Sequence, residues 1–230
     1  ALQEIYSEGI NITTVEDPVE YQIPGINQVQ MHEEIGLDFT SSLRSILRQD
    51  PDVLLIGEIR DKETADIAVK FSLTGHLVFS TVHANDAPST IARLLDLGIP
   101  PFLLGSSLNL IMAQRLIRTI DPDAKKEYKP LDQELKLLSF PKDKVNSTKF
   151  YQGTPKASNH NTGYKGRTAI HEIMEVNSTI RNLIYKNADQ DKLFEQAKQN
   201  GMTTLREAGI GKIISGETTI SEILRSTVQE

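Results

Sequence analysis

At 230 residues the chain can bury one sizeable core plus an appendage, and its 38% apolar and 24% charged content is ordinary for a globular protein. Acidic residues outnumber basic ones, 31 to 25, for a net charge of -6, which disfavours nucleic acid as a partner because phosphate backbones need concentrated Lys and Arg. The absence of cysteine excludes disulfides and thiolate metal sites, and no apolar run approaches the ~18 residues of a membrane span, so a soluble, cytoplasmic chain is expected.

The opening "ALQEIYSEG" predicts a helix with Leu2, Ile5 and Tyr6 on one face and Gly9 as a stop; no capping residue precedes it, so its natural start is expected upstream. "NITTV" predicts a short strand running into "EDPVEY", where Pro18 ends regular pairing. In "DFTSSLRSILRQD" the apolar residues Phe39, Leu43, Ile46 and Leu47 have helical spacing, with Thr40 or Ser41 placed to cap. "VLLI" has no polar side and predicts a strand covered on both faces. Asp61 starts a helix through about Phe71 that Gly75 closes, "HLVFSTV" predicts another buried strand, and Asp86 with Pro88 starts a helix ending near Gly98. Alternating strands and helices with continuous apolar strands predict an α/β fold: a parallel sheet wrapped by helices.

From Asp121 to about Lys165 the sequence turns rich in Lys, Pro, Ser, Thr and Asn and predicts a small irregular insertion or flap. Arg115 and Arg118, just before it, are assigned to the end of an apolar helix. After it, "GRTAIHEIMEV" alternates as a strand does, and helices are expected to the end of the chain. Thr204 with Glu207, and Thr219 with Glu222, both fit the reciprocal capping box. The expected regions are therefore 1–120, 121–165 and 166–230.

In open parallel sheets, ligands sit just beyond the carboxyl ends of the strands. Three predicted strands end in reactive side chains: Glu16, Asp17 and Glu20 after "ITTV"; Glu58 and Arg60 after "VLLI"; His83 after "LVFST". Any one of these fits loop solvation, but their convergence points to phosphoryl transfer from a nucleoside triphosphate, where the protein positions Mg²⁺, orients a water and neutralises phosphate charge. Glu58 suits indirect Mg²⁺ binding through water, Glu20 or Glu16 suits the base facing the attacking water, and His83 with Thr81 suits the terminal phosphate. His76 follows Gly75 at a helix end and fits a cap on the last carbonyls better than a phosphate ligand. Arg60 and Arg115 are candidates for a phosphate held by a neighbouring subunit, against the competing reading of plain salt bridging. The usual phosphate cradle, Gly-x-x-x-x-Gly-Lys-Ser/Thr, does not occur; "GIGKII" lacks the earlier glycine and the Ser/Thr, and the cradle is expected immediately before Ala1.

These residues in this order resemble the hexameric ATPases of type II secretion and type IV pilus assembly. "TTVEDPVEY" is similar to that family's aspartate box, "LRQDPDVLLIGEIRD" to its Walker B segment and "TGHLVFSTVHANDA" to its histidine box. "NQVQMHEEIGLDF", "MAQRLIRTI", "TGYKGRTAIHEI" and "MTTLREAGIGKIISGETTISEIL" match the connecting and closing signatures. The resemblance implies a RecA-like core beginning just after the P-loop and a C-terminal helical subdomain. It implies Mg²⁺-dependent ATP hydrolysis in a homo-hexamer at the cytoplasmic face of the inner membrane, peripheral to it, driving pilin or pseudopilin movement through a membrane platform protein. The catalytic base falls on Glu20, the Walker B glutamate on Glu58, and the histidine box on His76 and His83.

Two departures stand out. Without a P-loop, the chain by itself is expected to bind ATP poorly and hardly to turn it over. Many family members also hold zinc with two Cys-x-x-Cys pairs; these fall here on Asp121 and Ala124 and on Lys156 and Asn159, so zinc is not expected. Two other readings stay open: a pilus retraction motor, which the long 121–165 insertion disfavours, and a non-catalytic interaction scaffold derived from an ATPase.

Overall fold

A computed structural model of the chain describes residues 2–227. It divides into two compact units, Ala1–Leu110 with Glu175–Gln196, and Ile111–Met174 with Ala197–Glu230. Ala1, where the opening helix was expected to continue from upstream, lies outside the described residues.

The first unit runs α1 (Leu2–Ile5), β1 (Ile12–Glu16), β2 (Asn27–Gln30), α2 (Phe39–Ile46), β3 (Val53–Ile56), α3 (Lys62–Leu73), β4 (Leu77–Ser80), α4 (Ala87–Asp96) and α5 (Pro101–Ser107). The four strands form one sheet in the order β2-β1-β3-β4, every pairing parallel, as the continuous apolar runs and intervening helices require. Register places Ile12 beside Val53 and Thr14 beside Leu55, so one face presents Ile12, Val53 and, partly buried, Leu55 and Phe79. Leu2, Ile5, Ile10 and Ile26 cover that face. On the alternate positions Val15, Leu54 and Ile56 are fully buried.

Two details of the first unit differ from expectation. The cap of α2 is Asp38, whose side chain accepts the Ser41 N–H at 2.7 Å, rather than Thr40 or Ser41; it stands directly before the first helical residue, Phe39, whereas the other two are already inside the helix. β4 is less buried than expected: Leu77 is 44% exposed, and among the described residues β4 pairs with β3 alone. β2 has no apolar run to announce it; its polar Asn-Gln-Val-Gln sequence suits the other edge.

The chain continues through β5 (Leu110–Ile120), β6 (Lys125–Glu127), α6 (Asp132–Leu138), β7 (Tyr151–Gly153) and β8 (Tyr164–Glu175). β5 pairs with β8, and β6 with β7. Arg115 and Arg118 thus lie on an 11-residue strand rather than a helix end; alternate exposure along Leu110–Ile117 is the two-residue period of a half-buried ribbon. α7 (Ser178–Tyr185) and the start of α8 (Gln190–Gln199) return to the first unit, and α9 (Leu205–Ile214) and α10 (Ile220–Ser226) complete the second. The core of the second unit joins Ile117, Ile170, Leu205, Ile210, Ile213 and Ile223 to Leu138, Phe140 and Phe150, so apolar packing anchors the 121–165 segment. Thr204 and Glu207 form the full capping box. Thr219 accepts the Glu222 N–H, but the Glu222 carboxylate does not return to the cap; Arg118 and Arg225 occupy it.

Candidate active site

The parallel register sets the carboxyl ends of β1, β3 and β4 side by side. Val15 pairs with Ile56 and Ile56 with Ser80, so the residues that follow each strand emerge on one rim. Gly57 donates its N–H to the Val15 carbonyl at 2.7 Å, and Ile59 to the Thr81 carbonyl at 2.9 Å, which continues the ladder past the strands proper. A Cβ on Gly57 would stand 3.2 Å from the Val15 carbonyl oxygen and 3.3 Å from Glu16 Cα, so this close approach favours glycine.

Glu58 is the centre of the rim. Its side chain is 16% exposed; the Arg60 guanidinium bonds one carboxylate oxygen and His83 Nε2 lies 3.0 Å from the other. Arg60 also reaches toward Asp17, at 3.9 Å. A continuous line of ionic and polar contacts therefore runs Asp17, Arg60, Glu58, His83 across three strand ends. The hydrogen bond from Arg60 holds the Glu58 carboxyl below the usual carboxylate range, partial burial pushes the other way, and the charges of Arg60 and His83 add to the lowering. His83 is 90% exposed and presents the rest of its ring to solvent.

The remaining expected residues differ in how they sit. Glu16 accepts from Thr14 Oγ1 at 2.5 Å and from Gln28 Nε2 at 3.0 Å, so its carboxylate is fixed toward β2. Glu20 lies exposed on the loop after β1. Thr81 donates its hydroxyl proton to the Gly57 carbonyl at 2.6 Å, fastening β4 to β3. His76 precedes β4, at the opposite end of that strand from His83, and stacks on Phe71 with centroids 4.0 Å apart; its Nδ1 lies 3.0 Å from Thr74 Oγ1 at the end of α3. The same nitrogen lies 3.4 Å from the Phe71 carbonyl oxygen, near the end of α3. Arg115 belongs to the second unit, where its Nη1 donates to the Gln114 carbonyl at 3.0 Å. Thr14, Gln28 and Gly57 were not anticipated: the first two are ordinary strand residues in sequence, and only the glycine directly after an apolar strand carries a signal.

Glu58 is an ionised carboxylate at the rim whose two oxygens are engaged by Arg60 and His83, which fits an indirect hold on a hydrated Mg²⁺ that keeps most of its waters rather than direct ligation. The second unit offers no comparable fit to zinc: Asp121 and Asn159 are buried and bonded to each other, with no thiol or imidazole in the set. Among the described residues no group of three or more His, Cys, Asp or Glu is placed to hold a metal ion. Among them also, no helix is long and apolar enough to cross a membrane.

The chain is similar to known proteins along nearly its whole length. A family model described as type II/IV secretion system protein matches residues 1–225. The type IV pilus assembly ATPase PilB of Myxococcus xanthus is 46% identical over 231 residues, covering 100% of this chain and 41% of that protein. Type II secretion system protein E of Xanthomonas campestris is 44% identical over 227 residues, covering 99% of this chain and 40% of that protein. Among solved structures, the pilus retraction motor PilT with bound ADP aligns with a TM-score of 0.68 and 28% identity, over 96% of this chain and 53% of that one. The Legionella pneumophila ATPase DotB, at a TM-score of 0.62 and 18% identity over 93% of this chain and 50% of that one, shares the fold. The α/β architecture is thus that of RecA-like ATPases, and the chain spans about two fifths of the length of these curated relatives.

Proposed function

The chain belongs to the type II/IV secretion system protein family, and from that membership we propose that it is the catalytic portion of an ATP-hydrolysing motor for type IV pilus assembly or type II secretion. The observation that carries this reading is the line Asp17, Arg60, Glu58, His83 at the carboxyl rim of a parallel sheet, where a triphosphate is bound in folds of this kind.

Each residue has a role in the proposal. Glu58, kept ionised by Arg60, holds a Mg²⁺ through its water shell; the ion, when bound, neutralises phosphate charge. Glu20, exposed on the loop after β1, accepts a proton from the attacking water. His83 offers its exposed ring to the terminal phosphate while Glu58 orients it. Glu16 and Asp17 shape the acidic wall. Arg60 passes between Glu58 and the phosphates, and Arg115 serves a nucleotide of a neighbouring subunit in a homo-hexamer. The motor acts at the cytoplasmic face of the inner membrane through a platform protein and moves pilin or pseudopilin subunits. Relatives named for assembly and secretion, at 43–46% identity, favour this over the retraction motor, at 28%.

The sequence contains no Gly-x-x-x-x-Gly-Lys-Ser/Thr cradle, so this chain alone binds ATP weakly and scarcely turns it over. The test is therefore made on the complete protein that carries the chain. Glu20→Gln should keep nucleotide binding and lower turnover by roughly 100-fold or more. Undiminished turnover in that variant would remove Glu20 as the base, and an inactive wild-type protein would favour the scaffold reading.

A further inference from the structure

Two turns of the second unit meet at the positions where the resembling ATPases carry their Cys-x-x-Cys pairs. The first, Pro122–Ala124, follows β5, with Asp121 as its cap; the second, Ala157–Asn159, precedes β8, with Lys156 before it. Asp121 is 2% exposed and Asn159 1%, so both polar side chains are out of water, where a group left unpaired is strongly destabilising.

Every hydrogen-bonding position of the Asn159 amide is used. Nδ2 donates to Asp121 Oδ2 at 3.0 Å and to the Thr154 carbonyl at 3.1 Å. Oδ1 accepts the N–H of Lys156 at 2.9 Å and that of Gly163 at 3.1 Å. The other Asp121 oxygen accepts the Asp123 N–H at 3.2 Å. Around this centre Lys156 Nζ donates to the Asp123 carbonyl at 2.6 Å, and Thr154 N–H to the Ala124 carbonyl at 2.8 Å. Gly153 and Gly163 bring their backbones so near that a Cβ on either would overlap the other, at 1.9 and 2.5 Å.

We propose that Asp121 and Asn159 form a metal-free clasp that joins these two turns at the place where zinc joins them in many members of the family. The chemistry is that of a saturated buried network, in which each partner is satisfied and each turn is fixed by the other. A tetrahedral zinc needs four good ligands, and here one carboxylate stands with an amide that has no lone pair to spare. Folding of the second unit is accordingly independent of zinc supply, of chelators and of thiol oxidants.

The test uses the unaltered chain first, purified from zinc-replete medium. Elemental analysis should find substoichiometric zinc, and a strong chelator should leave the melting temperature where it was. Asn159→Asp sets a second carboxylate against Asp121 and should lower the melting temperature by about 5–10 °C; adding Asp121→Asn should recover a good part of that loss. One bound zinc per chain, melting provoked by the chelator, or an Asn159→Asp chain that melts like wild type would overturn the clasp. The metal and chelator arms need no variant, so a substitution that prevents folding leaves the proposal open to refutation by them. None of these readouts involves nucleotide, and their failure is distinct from failure of the ATPase reading.

Discussion

Glu58 and His83, 25 positions apart in sequence, meet at 3.0 Å because β3 and β4 run parallel in a register that sets Ile56 beside Ser80. The contact joins a carboxylate that is mostly enclosed to an imidazole that is mostly in water. Changing Glu58 to Gln keeps the volume and one acceptor but removes the charge that Arg60 pairs with and that the proposed mechanism assigns to a hydrated Mg²⁺. Turnover in the complete protein should fall by about 100-fold or more, with a raised Mg²⁺ requirement, while melting changes little. Steady-state ATP hydrolysis across a Mg²⁺ titration measures both, and an unchanged Mg²⁺ dependence would detach Glu58 from the metal.

Arg60 supplies the largest pull on the Glu58 carboxyl. Arg60→Ala should therefore raise the Glu58 pKa toward the ordinary carboxylate value. The sign for stability follows from the lowered folded pKa: the pairing stabilises above the unfolded carboxylate pKa and is lost as pH falls through the folded one. Removing Arg60 should flatten that acid-side dependence. An NMR titration of the Glu58 carboxyl in wild type and variant reads the shift directly, and identical midpoints would mean that Arg60 does not hold the acid.

Much of this rim was legible in sequence because apolar runs such as Val53–Ile56 mark buried strands, and in parallel sheets the next residues share an edge. Asp61 and Asp86 likewise announced their helices through side chains that do cap them. Legibility failed where neighbours decide the outcome. β4, Leu-Val-Phe-Ser, is nearly as apolar as β3, yet more exposed, because burial depends on which elements flank a strand and not on its composition alone. β5 holds Leu and Ile at spacings that also suit a helix, and its pairing with β8 settles the matter. The Asp121–Asn159 contact spans 38 positions, and nothing local in either turn announces it.

Gly57→Ala tests the close approach of β1 and β3. The added methyl would press on the Val15 carbonyl and Glu16 Cα at 3.2 and 3.3 Å, so the two strand ends must part by a few tenths of an ångström. Overpacking of this kind costs about 1–3 kcal/mol and displaces Glu58 relative to Glu16. A lower melting temperature with a larger proportional loss of turnover is expected. Loss of stability with full activity would show that the spacing is structural alone.

Glu222 should set the acid limit of the second unit. Burial by itself pushes its carboxyl up, but hydrogen bonds from the side chains of Arg225 and Arg118 and from the Arg118 N–H outweigh that and bring it down to about 2 from an ordinary 4.5. A group lowered in the folded state contributes stability that is fully present above the unfolded pKa and disappears as pH falls toward the folded one, here between about 4.5 and 2. The linked amount is on the order of 3 kcal/mol. Arg118 is further held over the Tyr164 ring, 4.1 Å from its centroid, so the cation stays in place as the acid titrates. Melting curves from neutral pH down to pH about 3 should show a falling midpoint in wild type. Glu222→Gln should start lower, because it leaves Arg118 and Arg225 without their anion, and should fall less steeply. A Gln variant with the wild-type slope would assign the acid sensitivity to other carboxylates.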